Sequence, residues 1–303
     1  MGTQRFSRAL FAHLHNHSEY SLLDGLSSVE AMAARAAELG QSALALTDHG
    51  VMYGAIDFYS ACKRAGIKPI IGMEGYVAPE SRLTRNPSDR SPYHMTVLAK
   101  NEVGYGNLLK LASKAQLEGF YYHPRMDREL LEQHSDGLVI LSGCLSGEVG
   151  SHIVKGQIDK AREAVNWYRG VFGDDYYLEV MWHEKIPEQL TMNRGVFELA
   201  RDTGTPLVAT NDNHYTNPSD HELHDVLLCI QTNSLVTDTK RMKLEDPTYY
   251  LRSEAEMAAL FPEHPEAIAN SGLIAEACDL EIDFTQSRLP RYQTPNGETA
   301  LEY

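Results

Sequence analysis

Seven short apolar runs alternate with amphipathic helical patterns along the chain, and this alternation constrains the fold more than any other feature. Most runs are apolar throughout, as expected for strands that are covered on both faces. Helix signals lie between most of them; Ser28, for example, can cap a helix that ends at Gly40. The pattern therefore predicts βα units around a parallel sheet. The runs are Leu10–Leu14, Ala43–Thr47, Pro69–Val77, Met95–Ala99, Leu138–Ser142, Tyr176–Met181 and Leu207–Thr210.

Seven strands with helices outside favour a closed α/β barrel over an open sheet. After Tyr215 the strand pattern stops, and three helical patterns follow, over 219–232, 253–261 and 265–280. The last residues are polar and rich in turn formers. We predict three parts: a barrel over residues 1–236, a small helical extension over 237–284, and a linker or the start of a further domain over 285–303.

The charge of this 303-residue chain restricts its partners. Its formal net charge is −15, and such a surface repels nucleic acid phosphates unless a basic patch, a bound metal or a partner compensates. Four cysteines without a CxxC pair favour a reducing compartment over a disulfide-stabilised secreted fold. No apolar run is long enough to span a membrane, and the N-terminus lacks a signal-peptide pattern. We therefore expect a cytoplasmic protein without a membrane partner.

Polar residues of unusual type follow the predicted strands, where the active sites of parallel barrels lie. Imidazole, carboxylate and thiolate form the ligand set of zinc and its neighbours, and ligands two residues apart on a strand point the same way. Carboxylates can bridge two ions, and several metals suit phosphoester hydrolysis. The sequence therefore predicts a multinuclear metal site. The strand-end residues are His15, His17, Asp48, His49, Glu74, Cys144, Asp212 and His214.

Each of these residues also has an ordinary structural interpretation. A lone buried histidine is more often hydrogen-bonded core than a ligand, and a lone buried cysteine is more often a small hydrophobe. Clustering at strand ends favours the ligand interpretation for His15, His17, Asp212 and His214. For Cys144 taken alone, the ligand and the structural interpretations are equally favoured. The histidines of helical and loop stretches, including His224, are expected to be solvated. His13 lies within the strand, two residues short of the rim, and is expected to be packed or to support the ligands from behind.

Several blocks resemble the PHP (polymerase and histidinol phosphatase) family. They are HLHNHSEYSLLDG, ALTDHGVMYGAIDFY, KPIIGMEGYVA, YHMTVLAKNEVGYGNL, GFYYHPRMDRELL, LSGCLSGE and VATNDNHY. More narrowly, they resemble the N-terminal PHP domain of bacterial C-family replicative polymerases, the polymerase III alpha subunits. The resemblance implies a distorted seven-stranded (β/α)7 barrel. It also implies that the C-terminal residues lead toward a polymerase palm domain.

The resemblance implies a trinuclear metal centre and carries over nine ligands. Eight of them come from blocks with strand-end or loop residues, whereas His94 precedes its apolar run and is included on the resemblance alone. His15, Glu74 and Asp212 are the predicted catalytic residues. The nine ligands are His15, His17, Asp24, His49, Glu74, His94, Cys144, Asp212 and His214.

The complete ligand set implies 3′–5′ proofreading exonuclease activity on DNA with three divalent ions. The Cys144 thiolate and the five imidazoles favour zinc, and manganese is also compatible. Arg125 and Arg82 are candidates to contact phosphate, with exposed surface arginines as the equally weighted alternative. The expected partners are a single-stranded or frayed DNA 3′ end, the remaining polymerase domains and replisome subunits.

Three other functions stay open at this point. The domain could be non-catalytic, bracing the polymerase and docking an exonuclease subunit. It could hydrolyse a small phosphate ester such as histidinol phosphate or a nucleotide. An amidohydrolase-like barrel is more distant, because the strand ends lack a bridging lysine.

Overall fold

The computed structural model describes residues 11–285, 292–299 and 301–303. Leu10 of the first predicted run and residues 286–291 and 300 of the predicted linker therefore lie outside the described residues. The helices are α1 (Val29–Glu38), α2 (Ala55–Ala65), α3 (Glu102–Leu117), α4 (Arg128–Gln133), α5 (Glu148–Val154), α6 (Ile158–Phe172), α7 (Pro187–Thr203), α8 (His221–Gln231), α9 (Glu254–Leu260) and α10 (Pro265–Ala277). The strands are β1 (Ala43–Leu46), β2 (Lys68–Val77), β3 (Tyr93–Ala99), β4 (Phe120–Tyr121), β5 (His123–Met126), β6 (Leu138–Leu141), β7 (Tyr176–Val180) and β8 (Leu207–Ala209).

The main strands form a curled mixed sheet in the order β1, β2, β3, β6, β7, β8, and the short β4–β5 hairpin is attached to β2. Neighbours pair in parallel except at β3, which is antiparallel to both β2 and β6. Helices lie between most successive strands, so that the sheet faces are covered. Each predicted apolar run from Ala43 onward coincides with one of these six strands.

Segment 11–17 supplies the seventh position of the ring. Its backbone is hydrogen-bonded on one side to the β1 region, where Ala45 N donates to His13 O at 2.9 Å. On the other side it bonds the chain that follows β8, where Asn213 N donates to His15 O at 3.1 Å. The segment thus links the two edges of the sheet. The predicted distorted seven-stranded α/β barrel is confirmed.

The expectation of an all-parallel sheet is wrong at β3. A parallel connection normally carries a crossover helix, but the short 3₁₀ turn Pro87–Arg90 is the only helical element between β2 and β3 in the described chain. The chain therefore returns antiparallel after β2. This reversal brings the beginning of β3, rather than its end, to the rim where the neighbouring strands end.

Helix α10 covers the opposite end of the barrel. Ala12 N donates to Ser271 Oγ at 3.1 Å, and Lys68 Nζ donates to Ala275 O at 2.8 Å, so that the beginnings of the strands are bonded to this helix. Side chains from α10 complete the apolar cluster inside the barrel, which contains Ala12, Leu14, Ala43, Ala45, Ile70, Leu98, Val139, Leu141, Val208, Ile274, Ala275 and Cys278. The barrel is packed at its base and presents polar groups at its rim.

The three predicted C-terminal helices are present as α8, α9 and α10. The proposed division of the chain near residue 237 stays a prediction. Among the described residues, no helix combines the length and the apolar content that crossing a membrane requires.

Candidate metal centre

The nine predicted ligands come together at the barrel rim, around a cavity of about 190 Å³. Seven of them line the cavity, and His15 and His17 lie beneath it in contact with its carboxylates. These residues are 2 to 199 positions apart in sequence, and the shared rim brings them together. Their role as ligands stays a prediction. The seven lining residues are Asp24, His49, Glu74, His94, Cys144, Asp212 and His214.

The first group consists of His15, His17 and Asp212. His17 Nε2 lies 3.0 Å and His15 Nε2 lies 3.4 Å from Asp212 Oδ1. Both rings are fully buried. The three side chains offer ligand atoms close enough to share one ion.

The second group joins three distant parts of the chain. Asp24 Oδ2 lies 3.3 Å from His49 Nε2 and 3.4 Å from His214 Nε2. Asp24 comes from the loop after segment 11–17, His49 follows β1, and His214 follows β8. Three segments far apart in sequence thus bring one carboxylate and two imidazoles within 3.4 Å.

Glu74 on β2 lies at the middle of the third group. Its Oε1 is 3.1 Å from His94 Nδ1 and 4.0 Å from Cys144 Sγ. Its other oxygen is 2.6 Å from His49 Nδ1, which belongs to the second group. A carboxylate that faces donors of two groups is placed to bridge two ions.

The donor atoms satisfy a direct test of fit to metal ions. Four buried donor atoms of the site lie close to other candidate ligand atoms but make no well-oriented hydrogen bond among the described residues: His15 Nε2, Asp24 Oδ2, His49 Nδ1 and Glu74 Oε2. Such atoms are costly to bury. Imidazole nitrogens and carboxylate oxygens that converge in this way fit divalent cations.

Burial and neighbouring charges shift the pKa values of the candidate ligands. Burial acts to lower the pKa of His15, but the carboxylates of Glu179, Glu74 and Asp212 outweigh it and raise that pKa well above its ordinary value. Burial, reinforced by neighbouring imidazoles, lowers the pKa of His17 to about 4. Although burial raises the pKa of a carboxyl group, the surrounding imidazoles hold the pKa of Glu74 well below its ordinary value. The carboxylate is therefore ionised at neutral pH.

The backbone of Asp212 is held in the left-handed region, with φ of 51°. Aspartate tolerates this region better than most residues, and such strain is frequent at functional sites. The next residue holds it there, since Asn213 bonds segment 11–17 through its backbone and its Nδ2 lies 2.6 Å from Asn16 Oδ1. The carboxylate is therefore aimed by the same contacts that close the barrel.

Glu179 on β7 is a functional candidate that the sequence analysis missed. Its Oε1 lies 2.8 Å from His15 Nδ1 and accepts from Thr210 Oγ1 at 2.6 Å, and its Oε2 accepts from Gly143 N at 3.0 Å. The side chain is fully buried. A carboxylate bonded to the far nitrogen of a ligand histidine fixes the ring orientation. The sequence feature that could have identified it is that Glu179 is the single acidic residue of the apolar run Tyr176–Met181.

The structure corrects the expectation that His224 is solvated. It is 1% exposed, lines the cavity, and its Nε2 lies 2.7 Å from the backbone oxygen of Asp24. Helix α8 turns this residue inward because it lies over the rim. His13 is fully buried, as expected, with Nε2 2.8 Å from Arg252 O and its ring 4.8 Å from that of Phe11.

The structure does not bring Arg125 and Arg82 to the cavity. Arg125 is fully buried and donates to the backbone oxygens of Gly119, Arg82 and Thr84 at 2.7 to 3.0 Å. Arg82 Nη1 donates to the carboxylate of Asp127 at 2.9 Å. Both guanidinium groups hold loops together. These contacts fit neither of the two expectations for the arginines, a phosphate contact or an exposed surface position.

Comparison with known proteins places this geometry in a family. The profile of the PHP domain matches residues 13–183, more than half of the chain. The chain belongs to the PHP family. The matched range begins at His13 and contains seven of the nine predicted ligands.

The PHP chain also resembles two curated proteins over nearly its whole length. It is 46% identical over 300 residues to the DNA polymerase III subunit alpha of Treponema pallidum, covering 98% of this chain and 26% of the relative. It is 41% identical over 308 residues to the DNA polymerase III subunit alpha of Thermus aquaticus, with 98% and 25% covered. The chain thus spans about a quarter of the length of these relatives.

A solved structure resembles the PHP chain weakly. It is a two-domain protein from Bacteroides vulgatus, described as containing a predicted PHP-like metal-dependent phosphoesterase. The sequences are 17% identical, the TM-score is 0.44, and the match covers 74% of this chain and 61% of the other. A similarity at this level supports no conclusion about function.

Proposed function

We propose that this PHP chain is a metal-dependent phosphoesterase that removes nucleotides from DNA 3′ ends as part of a replicative polymerase. The observation that carries the proposal is the convergence of nine candidate ligand side chains at one barrel rim, where four buried donor atoms make no well-oriented hydrogen bond. The relatives named polymerase III subunit alpha support DNA as the substrate and the other polymerase domains and replisome subunits as partners.

The geometry supports three ions, one for each group of ligands. His15, His17 and Asp212 form the first group, and Glu74 and Asp212 are placed to bridge groups. The second consists of Asp24, His49 and His214, and the third of Glu74, His94 and Cys144. A thiol and five imidazoles favour zinc, and manganese fits the remaining nitrogen and oxygen donors.

Divalent ions supply Lewis acidity at the phosphate and a more acidic water. The residues of the chain set the conditions for this chemistry. Glu74 and Asp212 fix the spacing of the groups, while Glu179 fixes the His15 ring from below. The packed barrel interior keeps bulk water from the far side of the site. The scissile phosphate would enter from the open side of the cavity, lined by Ser146 and Tyr249.

The test uses the metal-loaded chain on single-stranded DNA labelled at its 3′ end. We expect release of labelled mononucleotides with zinc or manganese and about three ions per chain by mass spectrometry. Asp212→Asn and His15→Gln should abolish release, whereas His264→Gln, which changes a histidine of the C-terminal helices, should leave it intact.

Two results would contradict the proposal in different ways. Hydrolysis of small phosphate monoesters without DNA cleavage would indicate a small-molecule phosphatase. A chain that binds no metal under any condition would indicate a non-catalytic domain that braces the polymerase.

A further inference from the structure

A short aromatic hairpin projects beside the candidate metal centre. Strands β4 and β5 pair antiparallel, with Phe120 opposite Pro124 and Tyr121 opposite His123, so that Tyr122 forms the tip. Its backbone is in the left-handed region, with φ of 61°, which is uncommon for tyrosine. This conformation is held by the surrounding contacts and fixes the direction of the tip ring. We call residues 120–126 the aromatic hairpin.

The aromatic hairpin is joined to the metal centre by a row of rings. The His123 ring is 4.5 Å from the Tyr76 ring. Tyr76 in turn lies 5.1 Å from His94 and 5.9 Å from His49, two of the candidate ligands. A single residue, Tyr76, therefore separates the hairpin from the centre.

The tip combines exposed aromatic rings with arginine side chains. Phe120 is 54% exposed and Tyr122 is 59% exposed. The guanidinium of Arg90 lies 4.9 Å from the centre of the Tyr122 ring, and that of Arg85 lies 5.8 Å from the Tyr121 ring. Exposed rings of this size, paired with cations, offer both stacking surfaces and positive charge.

We propose that the aromatic hairpin, together with the exposed Arg90, binds single-stranded DNA and leads its 3′ end to the candidate metal centre. Bases stack on Phe120 and Tyr122, and Arg90 meets a phosphate. Arg85 holds the neighbouring loop, because its guanidinium donates to the backbone oxygens of Arg82, Thr84 and Glu118. This proposal rests on the proposed function for its direction, but binding itself can be measured without hydrolysis. Arg90 supplies a local positive charge to this surface of a chain whose net charge is −15.

The first experiment measures fluorescence anisotropy of labelled oligothymidylate, twelve nucleotides long, with the full chain in EDTA so that no cleavage occurs. Tyr122→Asn removes the ring while accepting the left-handed backbone, so the fold is retained. We expect roughly tenfold weaker binding. Tyr122→Phe keeps the ring and should bind as the wild type does. The matched control is Leu273→Asn, an exposed apolar residue on α10 at the opposite end of the barrel.

The second experiment measures the salt dependence of the same binding. Arg90→Gln should reduce the slope of log affinity against log salt by about 0.7, the value for one phosphate contact on a single strand. Arg201→Gln, an exposed arginine in the last turn of α7, should leave the slope unchanged.

A third measurement separates this proposal from the proposed function. Hydrolysis of bis(p-nitrophenyl) phosphate by the metal-loaded chain reports the metal centre alone, and Tyr122→Asn should not alter it. If hydrolysis occurs but Tyr122→Asn binds DNA as the wild type does, the hairpin proposal is wrong and the phosphoesterase stands. If DNA binding depends on Tyr122 but no metal supports hydrolysis, the hairpin stands and the phosphoesterase is wrong. If Tyr122→Asn changes only self-association in sedimentation, the hairpin is a protein contact and the proposal fails.

Discussion

Glu179 and His15 are joined by a hydrogen bond of 2.8 Å between two fully buried side chains. An ionised carboxylate only accepts, so His15 Nδ1 carries the proton. Nε2 points to the opposite side of the ring, where Glu74 Oε1 lies at 3.3 Å and Asp212 Oδ1 at 3.4 Å. Glu179 thus keeps a proton on Nδ1 and leaves Nε2 as the nitrogen that would release its proton to bind a metal.

Replacing this carboxylate should weaken metal binding without unfolding the chain. Glu179→Gln keeps the shape but cannot hold the same tautomer while also accepting from Thr210 and Gly143. We expect metal affinity to fall about 10- to 100-fold. Competition with a chelator measures the affinity, and thermal unfolding in EDTA measures the fold.

The matched control is Glu148→Gln, since Glu148 accepts from Tyr168 Oη at 2.8 Å and touches no candidate ligand. It should lower stability without changing metal affinity. Equal affinities for Glu179→Gln and the wild type would show that Glu179 does not position His15.

Gly143 sets the distance between two candidate ligands. Its φ is 82°, and a Cβ at this position would lie 2.5 Å from the backbone oxygen of His94. Gly143→Ala should therefore displace either His94 or the following Cys144. We expect a loss of stability beyond about 1 kcal/mol and fewer bound ions per chain, measured by urea unfolding and by mass spectrometry.

Gly66→Ala separates the backbone penalty from the steric clash. Its φ is 77° and its ψ is 17°, and a Cβ there would meet nothing within 4 Å, so only the left-handed backbone conformation is penalised. It should cost about 1 kcal/mol and retain full metal content. If the two variants bind metal equally, the close approach at Gly143 does not matter for the site.

His94 shows how much of the site can be predicted from the sequence. Alternation predicted seven strands and identified the rim residues at strand ends. It could not predict that β3 runs antiparallel, because strand direction depends on pairing partners rather than on local pattern. His94 precedes the predicted apolar run but is the second residue of β3, and it reaches the rim because that end of β3 lies there. The resemblance to the PHP family supplied what the pattern could not.

Other residues show a second limit. Glu179 and His224 are buried at the site. In the sequence, Glu179 is only a single acidic residue in a predicted strand, and His224 is only a polar residue in a predicted helix, so neither indicates a buried position. Arg82 and Arg125 look like free cations in sequence, whereas the fold commits them to loops. Burial and partners of polar groups depend on distant segments, so local sequence does not determine them.

Arg125 should act on stability rather than on substrate binding. Arg125→Met removes three hydrogen bonds to backbone oxygens. It also removes the guanidinium that lies 3.9 Å from the buried carboxylate of Asp89. We expect a destabilisation on the order of 3 kcal/mol, measured by urea unfolding. Arg64→Met, which removes an exposed pair with Glu30, should cost less than about 1 kcal/mol. A raised KM for DNA at unchanged stability would restore the phosphate-contact interpretation.

His183 should make the chain sensitive to mild acid. It is 1% exposed, stacks on Tyr249 at 4.0 Å, and burial lowers its pKa from 6.5 to about 4. Below pH 6.5 the unfolded chain takes up this proton before the folded chain does, so stability falls as the pH drops from 6.5 to 4. The contribution of His183 is on the order of 3 kcal/mol across this range. Urea unfolding in EDTA should therefore show a shallower pH dependence for His183→Gln than for the wild type below pH 6.5, with parallel curves between pH 7 and 9. Parallel curves at every pH would mean that His183 is not buried as a neutral ring.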